Sequence, residues 1–176
     1  MNGGSSRSSH GRRSSGTLDG LAGTLARGLL ACGLLSGCQA VQTRQSVDVV
    51  AAQPARCEDP RTQAAASGVA FLADADWQAH LASVDGDLRA RLWSWRVDFT
   101  AGQSVALVSA GPQPNPGYRV TVAERSLPVR DHVLLVKAVV EAPPGHLIQA
   151  QVISFACVYL KLDGATYREV AVQVER

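Results

Sequence analysis

The 176-residue sequence is poor in the features that announce a chemistry. No serine stands in G-x-S-x-G, and H-E-x-x-H, G-x-x-x-x-G-K-S/T and G-x-G-x-x-G are all missing. The usual sequence signals for a hydrolase nucleophile, a zinc site, a phosphate loop and a dinucleotide fold are therefore gone. Histidine is scarce, with four in the chain. His80, His132 and His146 stand far apart and are expected at exposed or edge positions. Asp74 and Asp76 read as helix-start residues, not as a general acid and base. The expectation is a chain that is not an enzyme and uses no cofactor or metal.

Long apolar runs are lacking as well. The stretch Leu29 to Leu35 falls short of the roughly 20 residues that a membrane-spanning helix needs. An excess of one charge is also lacking. Four of the 17 basic residues and one of the 15 acidic ones lie in residues 1–37, leaving 13 basic against 14 acidic, a formal charge of −1 with histidine neutral. Dispersed and balanced charge carries no electrostatic footprint for nucleic acid or for anionic headgroups. No period of 20 to 50 residues repeats, which speaks against a solenoid or a propeller.

What is present begins with an address. Arg7, Arg12, Arg13 and Arg27 precede the apolar run Leu29 to Leu35, and Leu35-Ser36-Gly37-Cys38 follows. A positive region, a short greasy core, small residues and a cysteine form a secretory signal of the lipoprotein type. Small side chains at Ser36 and Gly37 let extended backbone enter a signal peptidase. The thiol of Cys38 supplies the nucleophile for a diacylglyceryl group, and the segment resembles the bacterial lipobox. Residues 1–37 are read as signal peptide, 38–55 as lipidated cysteine and tether, and 56–176 as one β-rich domain. The adjacent Arg12 and Arg13 leave a twin-arginine exporter as an alternative route. Gln39 stands where an Asp would mark retention at the inner membrane, so the anchor is expected in the outer membrane facing the periplasm. A flexible tether of about 17 residues reaches on the order of 20–25 Å.

Four cysteines are few, and they fit that compartment. Cys32 leaves with the signal peptide and Cys38 is consumed by lipid. Cys57 and Cys157 remain, and two thiols in an oxidising envelope point to one disulfide. Their spacing is not a C-x-x-C metal pair.

Along the mature chain a first strand is expected at Ser46 to Ala51, and Gly68 to Leu72 is a short apolar run. An Asp ahead of Trp77, Leu81 and Val84 at helical spacing predicts a capped short helix. Asp85-Gly86-Asp87 predicts a solvated turn, since no glutamate follows where a calcium loop needs one. Trp93, Trp95, Val97 and Phe99 alternate with polar residues, which predicts a core strand, with an aromatic binding platform as the alternative. Val105 to Ser109 reads as a strand ending at Gly111-Pro112. Pro114-Asn115-Pro116-Gly117 reads as a loop, and Tyr118, Val120 and Val122 share one face of the next strand. Val133 to Val140 reads as a central strand. Gln149 to Leu162 resumes the β pattern, and Asp163-Gly164 predicts a hairpin into Tyr167 to Val174.

This order resembles the domain named for the C-terminal part of the protease complex subunit PrcB, over roughly residues 67 to 175. The residues that carry the likeness are Val97-Asp98-Phe99, the apolar strand ending at Gly111, and Pro116-Gly117-Tyr118 opening a strand. Leu134 to Val140 with its Pro-Pro-Gly end and Val152 to Tyr159 before the last hairpin complete it. Pro116 stands where the family usually carries the first of two glycines. The resemblance implies a small envelope protein with an accessory or binding role, and it transfers no catalytic residue.

The expected fold is mainly β, an antiparallel and sandwich-like arrangement with one short helix and one disulfide. The expected function is non-catalytic binding of another envelope protein, such as a protease or its substrate. Contacts would come from the loop Gly111 to Tyr118, with Asn115, Gly117 and Tyr118 foremost, and from exposed strand edges that accept an added strand. A structural or stress-related lipoprotein and a carrier of a small apolar ligand are the alternatives. Radiolabelled palmitate should enter the wild-type chain and not Cys38→Ser; equal labelling of both would overturn the anchor.

Overall fold

The structure is a computed structural model that describes residues 45–57, 59–145, 150–164 and 166–175. The residues read as signal peptide, Cys38, the first residues read as tether and His146 lie outside the described residues. Eight strands are seen among the described residues: β1 (Gln45–Arg56), β2 (Ala66–Phe71), β3 (Gln103–Gln113), β4 (Arg119–Thr121), β5 (Ser126–Arg130), β6 (Val133–Glu141), β7 (Ser154–Gly164) and β8 (Glu169–Glu175). Two helices, α1 (Asp74–Ser83) and α2 (Gly86–Trp93), lie between β2 and β3. β1 starts at Gln45, so residues 45–55, read from the sequence largely as tether, are part of the sheet.

The strands form one sheet in the order β2-β3-β7-β1-β5-β6-β4, with β8 added on β6. Every pairing is antiparallel except β6 with β8, which is parallel. The sheet curls until β8 lies against β2, where Gly68 permits close approach; a Cβ there would run into the Val170 side chain. No ladder joins β2 to β8 among the described residues. The fold is thus a mixed, nearly closed sheet and not a sandwich.

The hairpin expected at Asp163-Gly164 is absent, and the reason is edge supply. Both edges of β7 are already taken, by β3 and by β1, so the chain leaving β7 must find another partner. It finds β6, and the entry is fixed by the Arg168 N–H donating to the His132 carbonyl at 2.8 Å. The two-residue hairpin lies instead at Asp131-His132 between β5 and β6, where both residues have positive φ (50° and 64°), as a type I′ turn requires.

β3 and β7 divide the interior into two cores. Side chains of Ala106, Val108, Ala156, Val158, Leu160 and Leu162 point into the curled sheet, where they meet Val47, Leu127, Leu134 and Val136. The alternate residues Val105, Leu107, Cys157 and Tyr159 point the other way and are covered by the helices through Trp77, Leu81, Leu88 and Leu92. These are the strands buried on both faces, not Val133 to Val140, whose outer face stays half open at Val133 and Leu135 and exposed at Lys137. Tyr167 closes one end of the first core. Its hydroxyl hydrogen-bonds Ser104 at 3.0 Å, and burial pushes its pKa up to about 12.

The strand expected across Trp93 to Phe99 does not form, and the two helices replace the single one foreseen. Asp85 caps α2, its carboxylate accepting from the N–H groups of Asp87 (3.0 Å) and Leu88 (3.3 Å), so the expected turn is a helix start. Leu88 and Leu92 then bury one helical face, which leaves Trp93 61% exposed. After α2, Arg96 adopts φ 45°, and Asp98 caps a 3-10 turn at Phe99–Ala101. Trp95, Val97 and Phe99 still pack on the second core, from irregular backbone. α1 begins at Asp74 as expected, but Ala73 holds its cap position and makes no side-chain cap bond. The carboxylates of Asp74 and Asp76 sit in the first turn, where the helix dipole favours negative charge.

Cys57 and Cys157 form the disulfide, with Cα atoms 5.6 Å apart and a sequence separation of 100. The chain-entropy value for a loop of that size is about 4.7 kcal/mol before strain and residual structure reduce it. Replacing both cysteines by alanine should lower the unfolding free energy by about 2–4 kcal/mol, read from urea denaturation under oxidising conditions.

Candidate functional site

A polar site is built where the end of β1, the start of β2 and helix α1 meet above the second core. The disulfide at Cys57 and its N–H bond to the Phe155 carbonyl (2.8 Å) hold the chain against β7 as it leaves β1. A single 3-10 turn at Pro60–Thr62 follows. The fully buried Thr62 ties that turn together, its N–H (3.0 Å) and hydroxyl (2.7 Å) both donating to the Asp59 carbonyl. From below, the Ser109 hydroxyl donates to the Thr62 carbonyl at 2.9 Å and accepts from the Gly111 N–H at 3.1 Å. Ser109 can reach because the β3 register shifts between it and Pro112. Gly111 has φ 77° there, and a Cβ at that position would come within 2.9 Å of the Ala66 nitrogen.

This frame presents Asp59 and Arg61. Nε of Arg61 donates to both carboxylate oxygens (3.0 and 3.1 Å) and Nη2 to Oδ2 (2.6 Å), while the Arg61 backbone N–H donates to Oδ1 at 2.9 Å. The Asp59 side chain is only 7% exposed, and the hydrogen bonds from the Arg61 guanidinium hold its carboxyl below the usual carboxylate range. The Arg61 guanidinium sits 5.8 Å from the Phe71 ring centre, so one side chain is fixed by a carboxylate and an aromatic face together.

α1 contributes Trp77, His80 and Leu81 on its buried face. His80 packs between Phe71 (ring centres 4.6 Å apart) and Trp77 (5.9 Å, stacked). Its Nε2 shares a 2.8 Å hydrogen bond with the Tyr159 hydroxyl from β7, and its Nδ1 lies 3.7 Å from the nearer oxygen of Asp59. Burial pushes the imidazole below its ordinary value of 6.5, against the pull of the Asp59 charge. Carboxylate, imidazole and phenol thus stand in line, with the imidazole neutral at pH 7.

These groups border a recess of about 590 Å³ lined by Arg56, Asp59, Arg61, Asp76, His80 and Tyr159, among others. A second trough of about 440 Å³ runs along the unlinked β2 and β8 edges, past Gly68, Val69, Arg168, Glu169 and Val170. Arg61 and Ala70 belong to both. A concave surface with a few convergent polar groups and shifted pKa values is the arrangement expected of a ligand site. It can donate hydrogen bonds from the Nη1 side of Arg61, which Asp59 does not engage, and from Arg56.

The loop singled out from the sequence is placed elsewhere. Asn115 Oδ1 accepts from the Gly117 N–H at 3.0 Å, and the Asn115 carbonyl accepts from the Ser154 hydroxyl at 2.5 Å, which ties the loop to the start of β7. Tyr118 is half-buried against the first core. The three residues lie together, and none lines the Arg61 recess or trough. Of the histidines, His132 forms the I′ turn, whereas His80, expected at an exposed or edge position, is buried. Asp59 and Arg61 carry no signal in the sequence, and Tyr159 figures there only as the end of a β segment. The available signal was His80 at three residues from Trp77, on the face of α1 that turns inward. Among the described residues no group of three His, Cys, Asp or Glu side chains is arranged to hold a metal ion. No family model, no curated protein and no solved structure matches the chain.

The sign of the His80 shift fixes a pH dependence. The unfolded chain takes up a proton near pH 6.5 while the folded imidazole resists it, so stability falls as pH drops below that value. Asp59, already low, makes its own loss only in more acidic solution. The urea midpoint should therefore fall between pH 7 and pH 5, and His80→Gln should flatten that slope; an unchanged slope would remove the assignment.

Proposed function

We propose that the chain is a lipid-anchored binding protein of the bacterial envelope, tethered through Cys38 to the outer membrane on its periplasmic side, and that its β domain engages another envelope protein without catalysing a reaction. The observation that carries the binding role is the meeting of a recess and a trough at Arg61, on a face where two strand edges lie side by side without a ladder. Gly68 and Val170 are already in contact, so a partner segment would lie over the trough and recess, with the lining side chains supplying selectivity. The likeness to the PrcB C-terminal domain favours a protease or a protease substrate as the partner. The anchor and the compartment rest on the lipobox at residues 35–38 and agree with the one disulfide.

The favoured contact surface moves from the loop around Asn115 and Tyr118 to the Arg61 face, because the loop residues are spent on holding the loop and filling the core. A carrier of a small apolar ligand is less favoured, since Leu127, Leu134, Leu160 and Leu162 are fully buried within the curled sheet. Ala79→Trp would fill the recess from an exposed position of α1, while Val50→Trp, on an exposed position of β1, would leave it open. Crosslinking in intact membranes should recover the partner at least about tenfold less from Ala79→Trp than from Val50→Trp; equal recovery would sink the proposal.

A further inference from the structure

We infer that the domain stands on the bilayer through the end of the sheet at which β1 begins, with the Trp93 indole seated among zwitterionic headgroups. This rests on the reading of Cys38 as the lipid anchor, and it adds which face of the domain that anchor brings to the membrane.

Three observations support it. First, the strand registers gather one end of the sheet. Val47 of β1 pairs with Gly164 of β7, Asp163 of β7 with Gln103 of β3, and Val105 of β3 with Phe71 of β2. The start of β1 therefore lies at the same end as the chain leaving β2 and the segment that leads from α2 into β3. Lys161 of β7 fixes that segment by donating to the Trp95 carbonyl at 2.8 Å. Leu72 and Trp93 are exposed at this end, by 43% and 61%. Second, the link to the anchor is short. Cys38 and Gln45 are seven residues apart, and that much chain spans at most about 25 Å even when fully extended. β1 rises about 36 Å from Gln45 to Arg56. The other exposed apolar pair, Val152 and Ile153, precedes β7 at the opposite end. With that end on the bilayer and β1 upright, Gln45 would stand beyond the reach of the link. Third, the surface at Trp93 suits an interface. Asp74 and Arg96 border a hollow beside the indole of about 160 Å³, below the size of a small-molecule site. One carboxylate and one cation match the ammonium and phosphate of a zwitterionic headgroup and leave no net charge to neutralise. Tryptophan, with an apolar ring and one N–H, favours the headgroup level. The hollow shares no residue with the Arg61 recess, so contact at Trp93 leaves the recess uncovered.

The test reconstitutes the full-length acylated chain into phosphatidylcholine vesicles whose acyl chains are brominated close to the headgroup, and compares tryptophan emission with that in unbrominated vesicles. Emission is expected to fall by up to one tryptophan's share, to the same extent at low and high salt and with phosphatidylglycerol added. Trp93→Phe should abolish the fall, because Trp77 is 3% exposed and Trp95 packs on the second core. Ile153→Trp in the Trp93→Phe background should not restore it. Both substitutions are at exposed positions, and the urea midpoint checks that the fold is kept. Unchanged emission in the wild type, a fall that survives Trp93→Phe, a fall seen only with phosphatidylglycerol, or one restored by Ile153→Trp would overturn the proposal. Flotation with the vesicles separates the two readings. A wild-type chain that does not float, or a Cys38→Ser chain that floats equally, overturns the anchor and the orientation with it. Flotation that needs Cys38, with emission unchanged, overturns the orientation alone.

Discussion

β3 and β7 bury both of their faces, and the rest of the structure is arranged to satisfy that demand. A strand pair with Val105, Leu107, Cys157 and Tyr159 on one side and Ala106, Val108, Val158 and Leu160 on the other cannot leave either side in water. One side is covered by curling the remaining strands into a nearly closed sheet. The other is covered by α1 and α2, inserted between β2 and β3. Since β3 and β1 occupy both edges of β7, the last strand is displaced to β6, and the sheet ends with β8 beside β2 without a ladder. The missing ladder between β2 and β8 is a consequence of how the interior is filled.

The candidate site inherits its order from the second core. Phe71, Trp77 and Tyr159 form an aromatic floor, and His80 is stacked into it. A carboxylate as sheltered as that of Asp59 is tolerable only when paired and hydrogen-bonded, and Arg61 supplies both from two residues away. The turn carrying the pair is fixed by the disulfide, by buried Thr62 and by the Ser109 hydroxyl, so three separate elements set its position. A proton on His80 would have to enter a largely apolar surrounding, which is why the imidazole stays neutral and why the site's acid response is a response of the fold.

Several elements were readable from residue order because their causes are local. The β strands around Val105, Leu160 and Val172 carry enough apolar residues to be found in any register, and α1 follows from the spacing of Trp77, Leu81 and Val84. The failures have equally particular causes. Trp93 to Phe99 alternates like a strand, but Asp85 offers a cap to a helix that begins earlier and buries Leu88 and Leu92, and that helix has consumed Trp93 before a strand can start. Asp163-Gly164 is a good turn sequence whose hairpin partner edge is already occupied, whereas Asp131-His132 is a poorer one that the pairing of β5 with β6 imposes. Asn115 and Tyr118 looked available because sequence shows what a loop contains and not what it is tied to.

Residue order alone determined what depends on neighbours along the chain: the predominance of β structure and the cysteine pair Cys57 and Cys157. Tertiary structure decided which strand edges remain open and which polar groups meet. Asp59, Arg61, His80 and Tyr159 come from a turn, a helix and a strand separated by up to 100 residues, and no periodicity links them. They converge because the turn, helix and strand that carry them pack on the same apolar surface, and that requirement acts through space and not along the chain.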